Sequence, residues 1–315
     1  MILNRRHLRV KVMQALYAFF QSENENISNG ERELLKSIDK ITEMFVTLIS
    51  AATEVINFLD KEQENAKNKY IPTEENLNPN KRLQNNFIHQ FFLRSRDYNG
   101  KVSNYKIHWR NSQDLIRKIY NQIRESKQYQ DYLNTEISIE EDKKFYNTLI
   151  GEFIASNEIF ISLLEEENVY WHDDFDLVYA AVIKFVKTLP ADANEFTRLP
   201  DIFKDPVDDK EFMIGLFRQT VLNNKEYDVL IGNYTKNWEM ERIAMMDILL
   251  MKMALAETIN FNSIPVKVTL NEFIEMSKNY STPRSSIFIN GNLDKMIADL
   301  NLQGKIVKTG RGLIE

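Results

Sequence analysis

Apolar residues recur at helical spacing along most of this 315-residue chain. In the first periodic segment, residues 4–21, one narrow arc at about 100° per residue contains Leu8, Val12, Leu16 and Phe19. The two-residue alternation that is typical of strands is hard to find. The pattern therefore predicts an all-α protein, with helices at 4–21, 31–67, 82–96, 108–130, 140–167, 173–188, 209–234, 239–258, 270–280 and 284–300.

Polar and turn-forming residues separate these segments. A polar stretch that includes an Asn-Gly pair interrupts the pattern at 22–30, and a Pro- and Asn-rich stretch at 70–80 predicts a loop. Three prolines between residues 190 and 206 indicate a connector, and residues 305–315 resemble a loose tail.

Two local signals concern the last predicted helices. Thr269 and Glu272 have the spacing of a capping box, which predicts that a helix begins at Leu270. Gly291 lies inside the following periodic segment, where glycine costs about 1 kcal/mol relative to alanine. A close approach of another backbone is a reason for a glycine at that position.

The composition narrows the function classes. Nine glycines and seven prolines are few for this length, which favours helices. The chain has no cysteine, so disulfides, thiolate metal sites and cysteine nucleophiles are excluded, and its four histidines are too scattered to form a metal cluster. Acidic runs such as 140–142 and 165–167 are better explained as helix ends and solvated faces than as acid/base pairs. We expect no cofactor and no catalytic activity.

Nothing in the apolar pattern indicates a membrane segment. The basic start of the chain is not followed by the apolar stretch of a signal peptide. The densest apolar run, 243–255, is interrupted by Asp247 and Lys252 and falls short of the roughly 20 residues that span a bilayer. We expect a soluble, cytoplasmic protein without membrane contact.

Charge is unevenly distributed, although the formal net charge is only -6. Residues 81–127 contain eleven Lys or Arg, three acids and seven aromatic rings, whereas residues 131–176 contain thirteen acids and two lysines. Cations interleaved with rings suit RNA, because cations contact phosphates and rings stack on bases. Alternatively, the rings form a core and the opposite charges neutralise each other on neighbouring helices.

The first predicted helix is basic. Residues 1–20 contain His7 and four fully charged cations but no acid; the four are Arg5, Arg6, Arg9 and Lys11. Cations in the first turn of a helix oppose its macrodipole, at about 0.3–1 kcal/mol each. Contact with phosphates is one reason for placing them there, and a solvated basic end is the other.

Three sequence blocks together resemble the NusB family of transcription antitermination factors. The order and spacing of the third block fit the family without a gap. The blocks are RRHLR at 5–9 with MQALY at 13–17; Trp238 to Glu257; and IPVKVTLNE at 264–272 with SKNY at 277–280 and FINGNLDK at 288–295.

The resemblance implies an all-helical protein that binds the boxA element of nascent RNA. It implies binding as a heterodimer with NusE, a small-subunit ribosomal protein, within an antitermination complex on RNA polymerase that supports transcription of ribosomal RNA operons. By position, Tyr17 lies nearer the NusE-type partner. The residues that correspond to RNA contacts are Arg5, Arg6 and Arg9, with Lys11 as an additional contact, and Lys278 and Tyr280.

The length of the chain departs from the family, whose usual members are less than half as long. We expect a discontinuous NusB-like core at 1–20 and 205–305, an inserted or expanded helical subdomain at 21–204, and a flexible tail at 306–315. Pro283 and Arg284 occupy positions where the family often has acids.

Two other function classes remain open. One is a protein-interaction scaffold in which the acidic insertion binds a basic partner and RNA binding is lost. The other is an RNA-modifying enzyme, because NusB-like domains also occur fused to ribosomal RNA cytosine methyltransferases. The enzyme is disfavoured, since the sequence has no strand followed by a glycine-rich turn and no cysteine nucleophile. The oligomeric state is also open.

Overall fold

The computed structural model describes residues 2–22, 26–235 and 243–313, and within these ranges the chain forms helices and no strand. The prediction of an all-α protein is confirmed. The α-helices of the described ranges are α1 (Arg5–Gln21), α2 (Ile27–Lys67), α3 (Glu74–Leu77), α4 (Phe87–Arg94), α5 (Arg96–Asn104), α6 (Gln113–Glu125), α7 (Lys127–Asn134), α8 (Ile139–Thr148), α9 (Glu158–Glu167), α10 (Phe175–Thr188), α11 (Pro206–Leu222), α12 (Asn224–Tyr234), α13 (Met245–Asn260), α14 (Val266–Tyr280) and α15 (Ser285–Leu302).

The chain divides into two compact units. We call Leu3–Ile38 with Phe203–Glu315 the terminal unit, and Asp39–Ile202 the central unit. Helix α2 begins in the terminal unit and ends in the central unit.

Helix α13 is the centre of the terminal unit. It packs against α1, α11, α12, α14 and α15. Every residue from Leu249 to Thr258 is buried, so this helix has no solvent face over those positions. A helix that is buried on all sides in this way is stable only when other helices surround it.

The start of α1 is fixed by its own sequence. The Asn4 side chain accepts a hydrogen bond from the His7 backbone, and the His7 ring accepts one from the Asn4 backbone. Leu8, Val12 and Leu16 are at most 1% exposed, as the periodicity predicted. They hold α1 against α11 and α13.

The turn predicted at 22–30 is shorter than expected, because α2 begins at Ile27. Gly30 therefore lies inside a helix. A Cβ atom at Gly30 would lie 2.4 Å from Cζ of Phe217 and 2.9 Å from Cδ2 of Phe19, so this glycine permits close helix packing. At Gly291 the corresponding prediction is wrong: a Cβ atom there would meet no atom within 4 Å.

The core of the central unit is aromatic. Phe45 of α2 and Phe92 of α4 both pack on Phe185 of α10, with ring centres 6.0 and 6.1 Å apart. Tyr146 of α8 is completely buried beside Phe92. These contacts join helices that are far apart in sequence.

Several long predicted helices are divided in the structure. Ser95 ends α4 and caps α5, Ser126 separates α6 from α7, and Asn157 caps α9. In each case the side chain accepts a hydrogen bond from a backbone N–H of the following helix. Such caps compete with helix continuation, and an apolar repeat does not reveal them.

Helix α2 alone among the described helices is long and apolar enough to cross a membrane. Of the most apolar 18-residue window of α2, 72% is buried inside the protein. One such helix is weak evidence for a membrane segment, because a mostly buried core helix passes the same test.

Residues after α15 contact the turn between α13 and α14. The Lys308 Nζ donates a hydrogen bond to the Phe261 carbonyl at 3.1 Å, and the Thr309 N–H donates to the Asn262 carbonyl at 2.9 Å.

Candidate nucleic-acid interface

Arg5 lies at the start of α1, where its guanidinium contacts the acidic first turn of α11. It pairs with Asp208, and its Nε is 3.3 Å from Oδ1 of Asp209. The same guanidinium lies over the Phe212 ring, 4.4 Å from the ring centre. Its side chain is 34% exposed. Part of this cation is therefore accessible to an anionic ligand.

Arg6 forms a two-point contact with Glu272 of α14. Its Nε and Nη2 donate hydrogen bonds to the two carboxylate oxygens at 2.8 and 2.9 Å. This contact raises the pKa of Arg6 and lowers the pKa of Glu272. Arg6 is 51% exposed and Glu272 is 19% exposed, so the arginine is the outer member of the pair.

The capping-box interpretation of Thr269 and Glu272 is wrong. Helix α14 begins at Val266, with Pro265 as its N-cap, so both residues lie within the helix. The Thr269 hydroxyl donates to Glu257 at 2.7 Å, and Glu272 binds Arg6.

Arg9 lies in the interior and not at the surface. It is 3% exposed, and its Nε and Nη2 donate to the two carboxylate oxygens of Glu257 at 2.7 and 2.8 Å. Glu257 is completely buried. Buried charges require such pairing, because an isolated one carries a large desolvation penalty. This contact ties α1 to α13.

Lys11 is also 3% exposed. The basic first helix therefore has two kinds of cation: Arg5 and Arg6 reach the surface, whereas Arg9 and Lys11 are buried. Sequence spacing did not distinguish the two kinds, because the partner that holds Arg9 in the interior, Glu257, is 248 residues away in sequence.

Lys278 and Tyr280 lie in the last turn of α14. Lys278 is 51% exposed and pairs with Glu275 on the same helix, and Tyr280 is partly buried. Glu272, which holds Arg6, is six residues before Lys278, or about 9 Å along the helix axis. The fold thus places Arg6 of α1 against α14, the helix that carries Lys278, although 272 positions separate the two residues in sequence.

Tyr17 is 40% exposed in the last half of α1. It is eleven residues from Arg6, about 16 Å along the helix axis. Tyr17 therefore lies apart from the cations at the start of the helix.

Asp247 at the start of α13 fixes the turn that follows Tyr280. It is 5% exposed and accepts hydrogen bonds from the hydroxyls of Ser281 and Ser285 at 2.5 and 2.8 Å. Nothing in the sequence pattern indicates this role of Asp247, or the roles of Glu257 and Asp208 as partners of arginines. Only tertiary contacts identify these acids.

In segment 81–127, four of the seven aromatic rings belong to the core of the central unit. Phe91, Phe92, Tyr98 and Trp109 are at most 7% exposed. The cations nearby bind acids: Arg96 pairs with Glu195. These four rings are therefore part of the core, which was the alternative to base stacking for the rings of this segment.

These features define a class of protein. The candidate site consists of two arginines, a lysine and a tyrosine that are exposed or partly exposed on helix surfaces. The described residues contain no group of three or more possible metal ligands. Such a site is typical of an all-α binding protein.

Comparison with known proteins identifies the family. The NusB family profile matches residues 187–298. The transcription antitermination protein NusB of Salinibacter ruber is 46% identical over 105 residues, which cover 33% of this chain and 66% of the relative. The NusB protein of Chloroherpeton thalassium is 38% identical over 106 residues, covering 34% and 50%, and that of Syntrophotalea carbinolica is 33% identical over 105 residues, covering 30% and 67%. The chain belongs to the NusB family.

Each match covers only part of this chain and only part of the relative. The chain spans between half and two thirds of the length of these relatives. The first block of the resemblance, at 5–17, lies before the matched range, and Trp238 to Arg242 of the second block lie outside the described residues. No solved structure matches the chain.

Proposed function

We propose that this chain is a transcription antitermination factor that binds boxA-type RNA together with a NusE-type small-subunit ribosomal protein. The relatives that it matches carry the name transcription antitermination protein NusB. One observation carries the RNA part of the proposal: Arg6 lies against α14, the helix that ends with Lys278 and Tyr280.

In this proposal, Arg5, Arg6 and Lys278 contact phosphates or bases of unpaired RNA, and Tyr280 stacks on a base. Phosphate contacts supply affinity that depends on salt, and a ring supplies base stacking. Arg9 and Lys11 are buried, so we assign them an indirect part, which is to hold α1 in place.

Further parts of the proposal follow from the resemblance. Tyr17 contacts the NusE-type partner, the complex acts on RNA polymerase at ribosomal RNA operons, and the protein works in the cytoplasm without catalysing a reaction. Residues 1–20 and 205–305 form the RNA-binding core, 21–204 form an added helical subdomain, and 306–315 form the tail.

The test is RNA binding by the full chain at two salt concentrations. A boxA-like RNA is compared with a scrambled RNA of equal length, with and without the organism's NusE-type protein. We expect tighter binding to the boxA-like RNA, and further tightening when the partner is present.

The variant Arg5→Gln with Arg6→Gln should weaken binding of the boxA-like RNA at least tenfold, because two contacts with the RNA are lost. Arg218→Gln is the matched control, since Arg218 is also 51% exposed and also binds a glutamate, Glu31, through two hydrogen bonds. Equal affinities for the wild type and the double variant would favour the protein-interaction scaffold instead.

A further inference from the structure

The contact between Arg6 and Glu272 leaves part of the guanidinium available. An arginine side chain has five N–H donors in a planar fork. Two of the five are used by Glu272, through Nε and Nη2. Three donors remain for another acceptor, and the fork fixes their directions relative to Glu272.

Glu272 is itself held in place. Its Oε2 lies 3.8 Å from Nη1 of Arg9, and Arg9 is fixed by the buried carboxylate of Glu257. Glu257 also accepts a hydrogen bond from Thr269, one turn before Glu272 on α14. The carboxylate that orients Arg6 is therefore part of a network that reaches the core of the terminal unit.

Pairing also changes how Arg6 acts on nucleic acid. A free cation attracts any phosphate and releases counterions whatever the sequence. Next to a carboxylate at 2.8 Å, the charge of Arg6 is largely cancelled, while its remaining N–H groups keep a defined geometry. Such an arginine contributes little to binding of unrelated RNA.

We propose that Glu272 is a specificity-determining residue of the RNA surface. It orients the Arg6 guanidinium and cancels its charge, so that Arg6 selects RNA by geometry more than by charge. This inference rests on the proposed function, and it adds an acidic residue to a site that was predicted from cations and one ring.

The main test is Glu272→Gln in the full chain, which removes the charge and keeps the shape of the side chain. Affinity for the scrambled RNA should rise about threefold to tenfold, because Arg6 becomes a free cation. The logarithmic salt slope for the scrambled RNA should steepen by about 0.7, the value for one single-strand phosphate. The preference for the boxA-like RNA should fall by a similar factor.

Glu275→Gln is the matched control. Glu275 lies on the same helix and pairs with Lys278, whose ammonium group is a point charge without a fixed fork. Its removal should tighten binding of both RNAs equally and leave their ratio unchanged. A ratio that changes equally in Glu272→Gln and Glu275→Gln overturns the proposal, because Glu272 would then act only through its charge.

Arg6→Lys gives a second test that keeps the total charge. Lysine cannot form the two-point contact, so the preference for the boxA-like RNA should fall, while the salt slope of the scrambled RNA stays close to that of the wild type because Glu272 still neutralises the cation. Thermal melts of each variant verify folding. If the wild type shows no preference, both this proposal and the proposed function fail; if it shows a preference that Glu272→Gln and Arg6→Lys leave intact, only this proposal fails.

Discussion

At the scale of single residues, the arginines of α1 differ in what surrounds them. Arg6 and Arg9 each form a two-point contact with a glutamate, at nearly the same distances. Arg6 is half exposed and Arg9 is 3% exposed. Similar contacts therefore have different energetic consequences.

Removing the buried arginine, Arg9, should lower the free energy of unfolding strongly. Arg9→Ala leaves the carboxylate of Glu257 buried without its cation, and we expect a loss of about 3–5 kcal/mol in the free energy of unfolding. Urea denaturation measures this loss. Arg218→Ala, which breaks the exposed two-point contact with Glu31, is the control and should cost much less, because solvent screens an exposed ion pair. Equal losses for the two variants contradict the prediction.

His89 should make stability depend on pH. Burial lowers its pKa from 6.5 to about 4, and its Nδ1 has no hydrogen-bond partner in the part of the chain that the structure describes. Between those pH values the unfolded chain binds a proton that the folded chain excludes. Stability is therefore complete above pH 6.5 and falls as the pH approaches 4.

The size of this effect is about 3 kcal/mol, from the shift in pKa. His89→Leu removes the titrating group and keeps an apolar side chain of similar size. Urea denaturation at pH 7 and near pH 4 should show a smaller pH dependence for the variant than for the wild type. An unchanged pH dependence would count against the buried neutral histidine.

At the scale of helices, the apolar repeat located the elements better than their ends. The predicted helix at 82–96 is observed as Phe87–Arg94, and the one at 270–280 begins four residues earlier, at Val266. Serine and asparagine caps divide helices whose apolar pattern continues through them. Pattern alone misses these ends, because capping depends on the local backbone conformation.

Two helical glycines give opposite predictions. Gly30→Ala places a methyl group against Phe19 and Phe217 and should destabilise the protein by about 1–3 kcal/mol. Gly291→Ala meets no atom within 4 Å and should stabilise it by about 0.5–1 kcal/mol, because alanine favours a helix. Thermal melts of the two single variants test both signs, and effects of the same sign contradict this account.

At the scale of the whole molecule, the two units differ in net charge. Residues 39–202 contain 27 acids and 20 Lys or Arg, whereas the rest of the chain contains 19 and 20. The net negative charge therefore belongs to the central unit. An acidic chain is thus compatible with an RNA surface on the nearly neutral terminal unit.

The sequence by itself determined the all-α class, the presence of most helices and the family. These depend on apolar periodicity and short local motifs, both of which the chain displays directly. It also identified the cations and the ring from which a site is proposed.

Only the tertiary structure decided which of those cations are exposed. Arg5 and Arg6 reach the surface, whereas Arg9 and Lys11 are buried. The acids that pair with the three arginines lie more than 200 positions away in sequence. The acids that hold the arginines, Asp208, Glu257 and Glu272, were likewise found only in the fold. The sequence shows where the charged residues lie along the chain. Long-range packing determines which residue each one pairs with and whether it is buried.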